Sequence, residues 1–250
     1  MILNRLHLAT RTSRIAALAV AALGLAGCQG IAGVQPISQI RVIDASPDAP
    51  ALDIHQNASV GLYNVAFGTV SSYIPVTAGS YTHAAYTAGT QQQLAAIRGS
   101  FAIGGQYTVL TGNIAANLQM TVLRDQATPA PLGQTALRFL NQATRAGAID
   151  LYLLPPGLTL SGISPIASGL SFGSNTGYIN APSGTYSIVA FPTGTAPSGA
   201  APEYTGNQTI YPGSSARTII LIDQLPAQPP PIAPGLQIIT AYDYDAPSAS

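Results

Sequence analysis

Two stretches of this chain are copies of one pattern. Ile40-Arg41-Val42-Ile43-Asp44, followed by Ala51-Leu52-Asp53-Ile54-His55, returns 97 positions later as Leu137-Arg138-Phe139-Leu140-Asn141 and Ala148-Ile149-Asp150-Leu151-Tyr152. An insertion of eight residues then moves the offset to 105. At that offset Phe67-Gly68 meets Phe172-Gly173, Tyr73 meets Tyr178, Gly79 meets Gly184 and Tyr81 meets Tyr186. Near the end, Leu118-Gln119 meets Leu236-Gln237. Whatever unit the first copy folds into, the second must be able to adopt as well.

The apolar period inside each copy is two. Val42, Tyr107, Val109, Met120 and Val122 sit in short alternating runs rich in β-branched and aromatic residues, separated by Gly, Pro, Ser and Asn clusters. That is the strand signature. About seven short strands per copy predict an all-β chain of two tandem immunoglobulin-like sandwiches. Only Gln91–Ile97 competes as a helix, and it is read as a strand running on to Phe101. The predicted limits are 38–125 for the first sandwich, 126–134 for a linker stiffened by Pro129 and Pro131, 135–245 for the second sandwich and 246–250 for a tail. In the pairs Gly79/Tyr81 and Gly184/Tyr186, glycine takes positive φ at a turn and the next strand carries a Tyr. That Tyr either points inward with its hydroxyl on a backbone carbonyl, as in a tyrosine corner, or lies half-exposed on the strand.

The first thirty residues form a targeting segment. Arg5, Arg11 and Arg14 precede an uncharged apolar run from Ile15 to Ala26, shorter than the roughly 20 residues a span needs. The run ends in Leu25-Ala26-Gly27-Cys28, which resembles the lipobox of bacterial lipoproteins. The resemblance implies cleavage after residue 27, lipidation (palmitate) of Cys28 and a tether over 28–37. Gln29, in place of Asp, points to the outer membrane by the sorting rule of such lipoproteins. Cys28 is the sole cysteine, so no disulfide within the chain supports either copy and stability rests on apolar burial and backbone pairing.

Beyond Cys28 the chain has six arginines, no lysine and nine carboxylates. With a formal charge of −3 it has no basic surface for phosphates, and nucleic acid is excluded as a partner. No Gly-rich phosphate loop follows a strand and opens a helix, and no cofactor is expected.

Arg41-Val42-Ile43-Asp44-Ala45-Ser46-Pro47-Asp48-Ala49-Pro50-Ala51-Leu52-Asp53-Ile54, with Phe67-Gly68 and Tyr73 through Gly79 to Tyr81, resembles the bacterial domain-of-unknown-function family 4397. The resemblance covers 38–125 well and 134–245 more weakly, where Ala143-Thr144-Arg145-Ala146-Gly147 replaces Ser46-Pro47-Asp48-Ala49-Pro50. It implies an exported protein with tandem, immunoglobulin-like copies, and it brings no catalytic residues.

The residues that suggest chemistry have simpler readings. Gly169-Leu170-Ser171-Phe172-Gly173 fits the nucleophile-elbow pattern, but the first copy has Ala66 in place of Ser171, and no histidine follows. It reads as a strand end entering a turn. His55 and His83 become Tyr152 and Ile188 in the second copy, and two histidines without a thiol are too few for zinc. Asp44, Asp48 and Asp53 are weak calcium candidates. The alternative has Asp44 and Asp48 bonding local amides in the Ser-Pro turn, with Arg41 paired to Asp53. Tyr63, Tyr73, Tyr81, Tyr86 and Tyr107 could form part of a carbohydrate-binding face, though most suit a core or a strand pair. Pro226–Pro234 falls between the last two strands, as a spacer loop or a docking segment.

The expected function is that of a noncatalytic module, lipid-anchored at the cell envelope, for an envelope polysaccharide or protein partner. The alternatives are an envelope hydrolase and a pure spacer.

Overall fold

Each copy of the repeat builds two sheets, and the strand order is the same in both. The computed structural model describes residues 36–224 and 235–246. Cys28 with its signal segment, the tether up to residue 35, the Pro226–Pro234 loop and all but the first residue of the tail lie outside them, and Ile37, expected in the tether, opens the first strand. The first copy contains β1 (Ile37–Asp44), β2 (Leu52–Gln56), β3 (Ser59–Val65), β4 (Ile74–Thr77), β5 (Gly79–Thr87), β6 (Gln93–Phe101), β7 (Gln106–Gly112) and β8 (Gln119–Asp125). They form sheets β4-β1-β7-β8 and β3-β2-β5-β6. The second contains β9 (Gln134–Asn141), β10 (Ile149–Leu154), β11 (Ala167–Leu170), β12 (Asn175–Pro182), β13 (Gly184–Pro192), β14 (Tyr204–Thr205), β15 (Thr209–Tyr211), β16 (Ser215–Asp223) and β17 (Leu236–Tyr244). Its sheets are β12-β9-β16-β17 and β11-β10-β13-β14, with β15 also on β13. The 91–97 segment is strand, within β6.

The offsets read from the sequence hold in three dimensions. Leu52 faces Val65 as Ile149 faces Leu170, and Gln56 faces His83 as Leu153 faces Ile188. Among the described residues, eight and nine strands replace the expected seven. The extra one in the second copy arises because the equivalent of β6 is broken into β14 and β15.

Four layers result. Val42, Ile54, Tyr107 and Val109 share the first sandwich core; Leu137, Phe139, Leu151 and Ile219 share the second. The alternate residues of the same strands, Ile43, Leu110, Leu140 and Ile220, pack together between the copies with Ala241. β1, β9 and β16 are thus covered on both faces, which explains apolar runs such as Thr218-Ile219-Ile220-Leu221-Ile222. Fully burying one such side chain contributes about 1.5–3 kcal/mol.

A polar network with two-fold symmetry crosses this interface. Arg41 is 1% exposed and ion-pairs with Asp243 of the other copy. Arg138 ion-pairs with Asp125. Arg41 Nη1 donates to the Tyr242 carbonyl at 3.0 Å and Arg138 Nη1 to the Arg124 carbonyl at 2.9 Å. Each Nε donates to a threonine of its own sheet, Thr108 or Thr218, which donates in turn to Asp125 or Asp243. Tyr73 and Tyr178 each lie under an arginine and donate a hydroxyl to the same carboxylates. Every member is bonded, which a buried ionic group requires. Burial pushes both phenol groups above their ordinary pKa, and they remain donors.

The expected Arg41–Asp53 pair is therefore wrong. Asp53 accepts the Asn64 and Gly89 amides at 2.8 and 2.9 Å, and Asp150 accepts those of Gly169 and Gly194 at 2.8 and 3.1 Å. The two residue pairs recur because two separate structural devices recur.

The Gly-x-Tyr pairs combine the two arrangements: both rings are half-exposed, and Tyr81 donates to the Thr77 carbonyl at 2.7 Å and Tyr186 to that of Pro182 at 3.1 Å. Their glycines do not take positive φ. A Cβ on Gly79 or Gly184 would stand 3.3 Å from the tyrosine hydroxyl, so these positions are small because the ring folds back over them.

Candidate functional site

In the first sandwich, β6 runs unbroken past β8. Ile97, opposite His83, packs in the core with Val122. A Cβ on Gly99 would meet Val122 at 3.1 Å, so the two sheet edges are in contact. In the second sandwich Thr205 still pairs with Val189 and Thr209 with Tyr186, but three residues, Gly206–Gln208, now span the two positions between. Gly206 bonds back to the Ile188 carbonyl at 2.9 Å and occupies the place of Ile97. Thr240 occupies the place of Val122. An apolar pair has become a glycine and a threonine, and the sheet edges part.

The gap is a cleft of about 200 Å³, lined by Ile188, Tyr204, Gly206, Asn207, Thr209, Tyr211, Ile238 and Thr240. Ile188 and Ile238 are its apolar lining. Two phenols, an amide and two hydroxyls supply donors and acceptors, and no charged side chain among the described residues lines it. Burial raises the Tyr204 pKa and pushes that of Tyr211 up to about 12, so both are neutral phenols. A Cβ on Gly206 would come within 2.9 Å of the Tyr204 hydroxyl; the absent side chain gives that ring its place. Such a lining suits an uncharged, hydroxyl-rich molecule with an apolar face.

The residues singled out from the sequence lie elsewhere. Asp44 is fully buried and accepts the Ser46 amide at 3.0 Å and the Thr111 hydroxyl at 2.8 Å. Asp48 accepts the amide of Ala115, distant in sequence, at 2.7 Å, so its expected local bond is replaced by a long-range one. With Asp53 committed as above, the three carboxylates do not converge. Among the described residues no group of three or more His, Cys, Asp or Glu is placed to hold a metal ion. His55 stacks on Tyr86 with centroids 4.2 Å apart, while His83 is buried edge-on to Phe101. Ser171 follows β11 in a turn between Gly169 and Gly173, both at positive φ.

The five first-copy tyrosines do not assemble a face. Tyr73 is under Arg41, Tyr81 is on its carbonyl, Tyr86 bonds Gln93, and Tyr107 is buried as the acceptor of the Ala102 amide. Tyr63 stays exposed. The aromatic polar surface is instead in the second copy, where Gly206, Asn207 and Thr240 carry no motif. The only sequence signal was the failure of the repeat to match across 193–208.

Residues 38–152 match the model of a family described as "Domain of unknown function (DUF4397)", the family that the opening motif resembles. No curated protein matches the chain. Among solved structures, a similarity is found to the crystal structure of CBMbc (family CBM26) from Eubacterium rectale Amy13K in complex with maltoheptaose. It has 12% identity and a TM-score of 0.24 and covers 85% of this chain and 100% of that one. At that level it carries no argument about ligand or mechanism.

Proposed function

We propose, for a chain whose residues 38–152 match the DUF4397 family model, that it is a noncatalytic envelope module that holds a neutral polysaccharide in the cleft of its second sandwich. The observation that carries this reading is the broken edge strand. The same fold is closed at that edge in the first copy and opens in the second onto phenol, amide and hydroxyl groups without a charge. These groups bond and stack; none of them titrates near neutral pH to move a proton. Affinity electrophoresis through gels containing a soluble glucan, a galactomannan or an arabinoxylan tests it. Retardation by at least one polymer is expected, and Gly206→Ala, which displaces Tyr204, abolishes it. Unretarded migration in all three gels, or equal retardation of the variant, sinks the reading.

The lipid anchor at Cys28 and the outer-membrane location belong to the same proposal and rest on the leader sequence. Labelled palmitate is expected to enter the wild-type protein and not Cys28→Ser. A wild-type protein that takes up no label removes the anchor. A second reading, a spacer, is favoured by the interface itself, because the buried network joins the two copies into one body.

A further inference from the structure

The first sandwich opens on its opposite side. A cavity of about 60 Å³ lies between its two sheets at the β3 and β4 edges, walled by Ile40, Val42, Ile54, Leu62, Ile74 and Val76, with His55 and Gln56 of β2 also in its lining. His83 reaches it from β5. That imidazole is 3% exposed, and its Nε2 has no hydrogen-bond partner among the described residues. An unpartnered buried polar atom destabilises a fold, and native structures seldom keep one without a use.

The second copy shows what a closed version looks like. By the repeat offsets of 97 and 105, Val42, Gly61 and His83 correspond to Phe139, Ile166 and Ile188. All three replacements pack into the second core. The first copy thus has a smaller residue on β1, none on β3 and a polar one on β5, all facing the same space. Three separate departures from the sister copy's core residues converge on one cavity.

We propose that this cavity binds a small neutral molecule with an apolar body and one hydroxyl, a phenol or a short alcohol, whose hydroxyl bonds Nε2 of His83. The aliphatic walls exclude a charged ligand. Burial lowers the pKa of His83 to about 4, so at neutral pH the imidazole is uncharged and bonds a neutral hydroxyl. The lining is mainly apolar, which favours an apolar body over a resident water. The volume is below the roughly 150 Å³ of an enclosed cavity that holds benzene. This one is open at the strand edges, so part of the ligand stays in the mouth.

The test follows the imidazole nitrogens of His83 by NMR as phenol is titrated into the full chain, with toluene as the control lacking a hydroxyl. A saturable shift of Nε2 with phenol is expected, with no matching shift from toluene. Gly61→Ile and Val42→Phe restore the second copy's filling from two different strands, and each is expected to weaken phenol at least ten-fold. Gly61 has room for the change, since its Cβ would meet only the Ile54 carbonyl, at 3.6 Å. A drift that never saturates in the wild type, or equal saturation in a folded filled variant, overturns the proposal. Either result leaves polysaccharide retention by the second sandwich unaffected, because the two clefts belong to different copies.

Discussion

Arg41→Leu is expected to lower the stability of the chain to urea by about 3–5 kcal/mol, the usual result of removing one partner of a buried ion pair. Two carboxylates, Asp125 and Asp243, have fully buried side chains and flank Arg41. Burial already raises the pKa of Asp243, and the Arg41 charge is the largest influence opposing that. Without the guanidinium, Asp243 loses its cross-copy partner, and Tyr242 loses a donor to its carbonyl. The double variant Arg41→Leu with Asp243→Leu is expected to recover only part of the loss: the uncompensated carboxylate is gone, but Tyr178 and Thr218 lose the acceptor that Asp243 gave them. The urea midpoints of the wild type, both single variants and the double variant complete the cycle. A single-variant loss below about 1 kcal/mol, in the range of a surface pair, would show that the interface is held by its apolar contacts alone.

Asp44→Asn is expected to stabilise the chain at pH 7. Asp44 is buried, one carboxylate oxygen has no partner, and desolvation pushes its pKa from 3.8 to about 6. The folded state therefore holds the proton more tightly than the unfolded chain does. The penalty for the ionised form is absent below pH 4, grows between pH 4 and 6 and is complete above. Two pK units correspond to on the order of 3 kcal/mol. His83 works in the opposite sense: its lowered pKa makes stability rise with pH from about 4 to 6.5. Asp53 and Asp150, held below the usual carboxylate range, mainly by amide donors, act below that window. The difference between variant and wild type isolates Asp44, and it is expected to widen from pH 4 to pH 6 and then stay level. The second copy has already made this change. Asn141 donates to the Gly147 and Leu170 carbonyls and accepts the Ala143 amide. A variant less stable than wild type at pH 7, or a difference independent of pH, would show that the carboxylate is not the source of the strain.

The all-β class, the two-copy plan and the reading of Ser171 as a turn residue were determined by the sequence alone. Each depends on local or periodic information: the alternation along a strand, the Gly and Pro punctuation, the spacing between copies. The partners of Arg41 and Arg138 were not legible in this way. A β-strand sends alternate side chains to opposite faces, and which face meets the sister copy is a property of how the sandwiches dock. There was a sequence clue in the near-continuous apolar runs of β9 and β16, which strands covered on both faces have. An arginine inside such a run needs a buried carboxylate, and Asp125 and Asp243 recur at the ends of the last strands. The clefts depend on still finer matters. Ile97 and Val122 close one edge, whereas Gly206 and Thr240 open the other, and these pairs meet only across sheets. Whether His83 has a hydrogen-bond partner likewise depends on Gly61 and Val42, which lie on two other strands. The repeat therefore specified the scaffold twice, while tertiary packing decided where each copy departs from it, because a cavity is a failure of several distant side chains to fill one space.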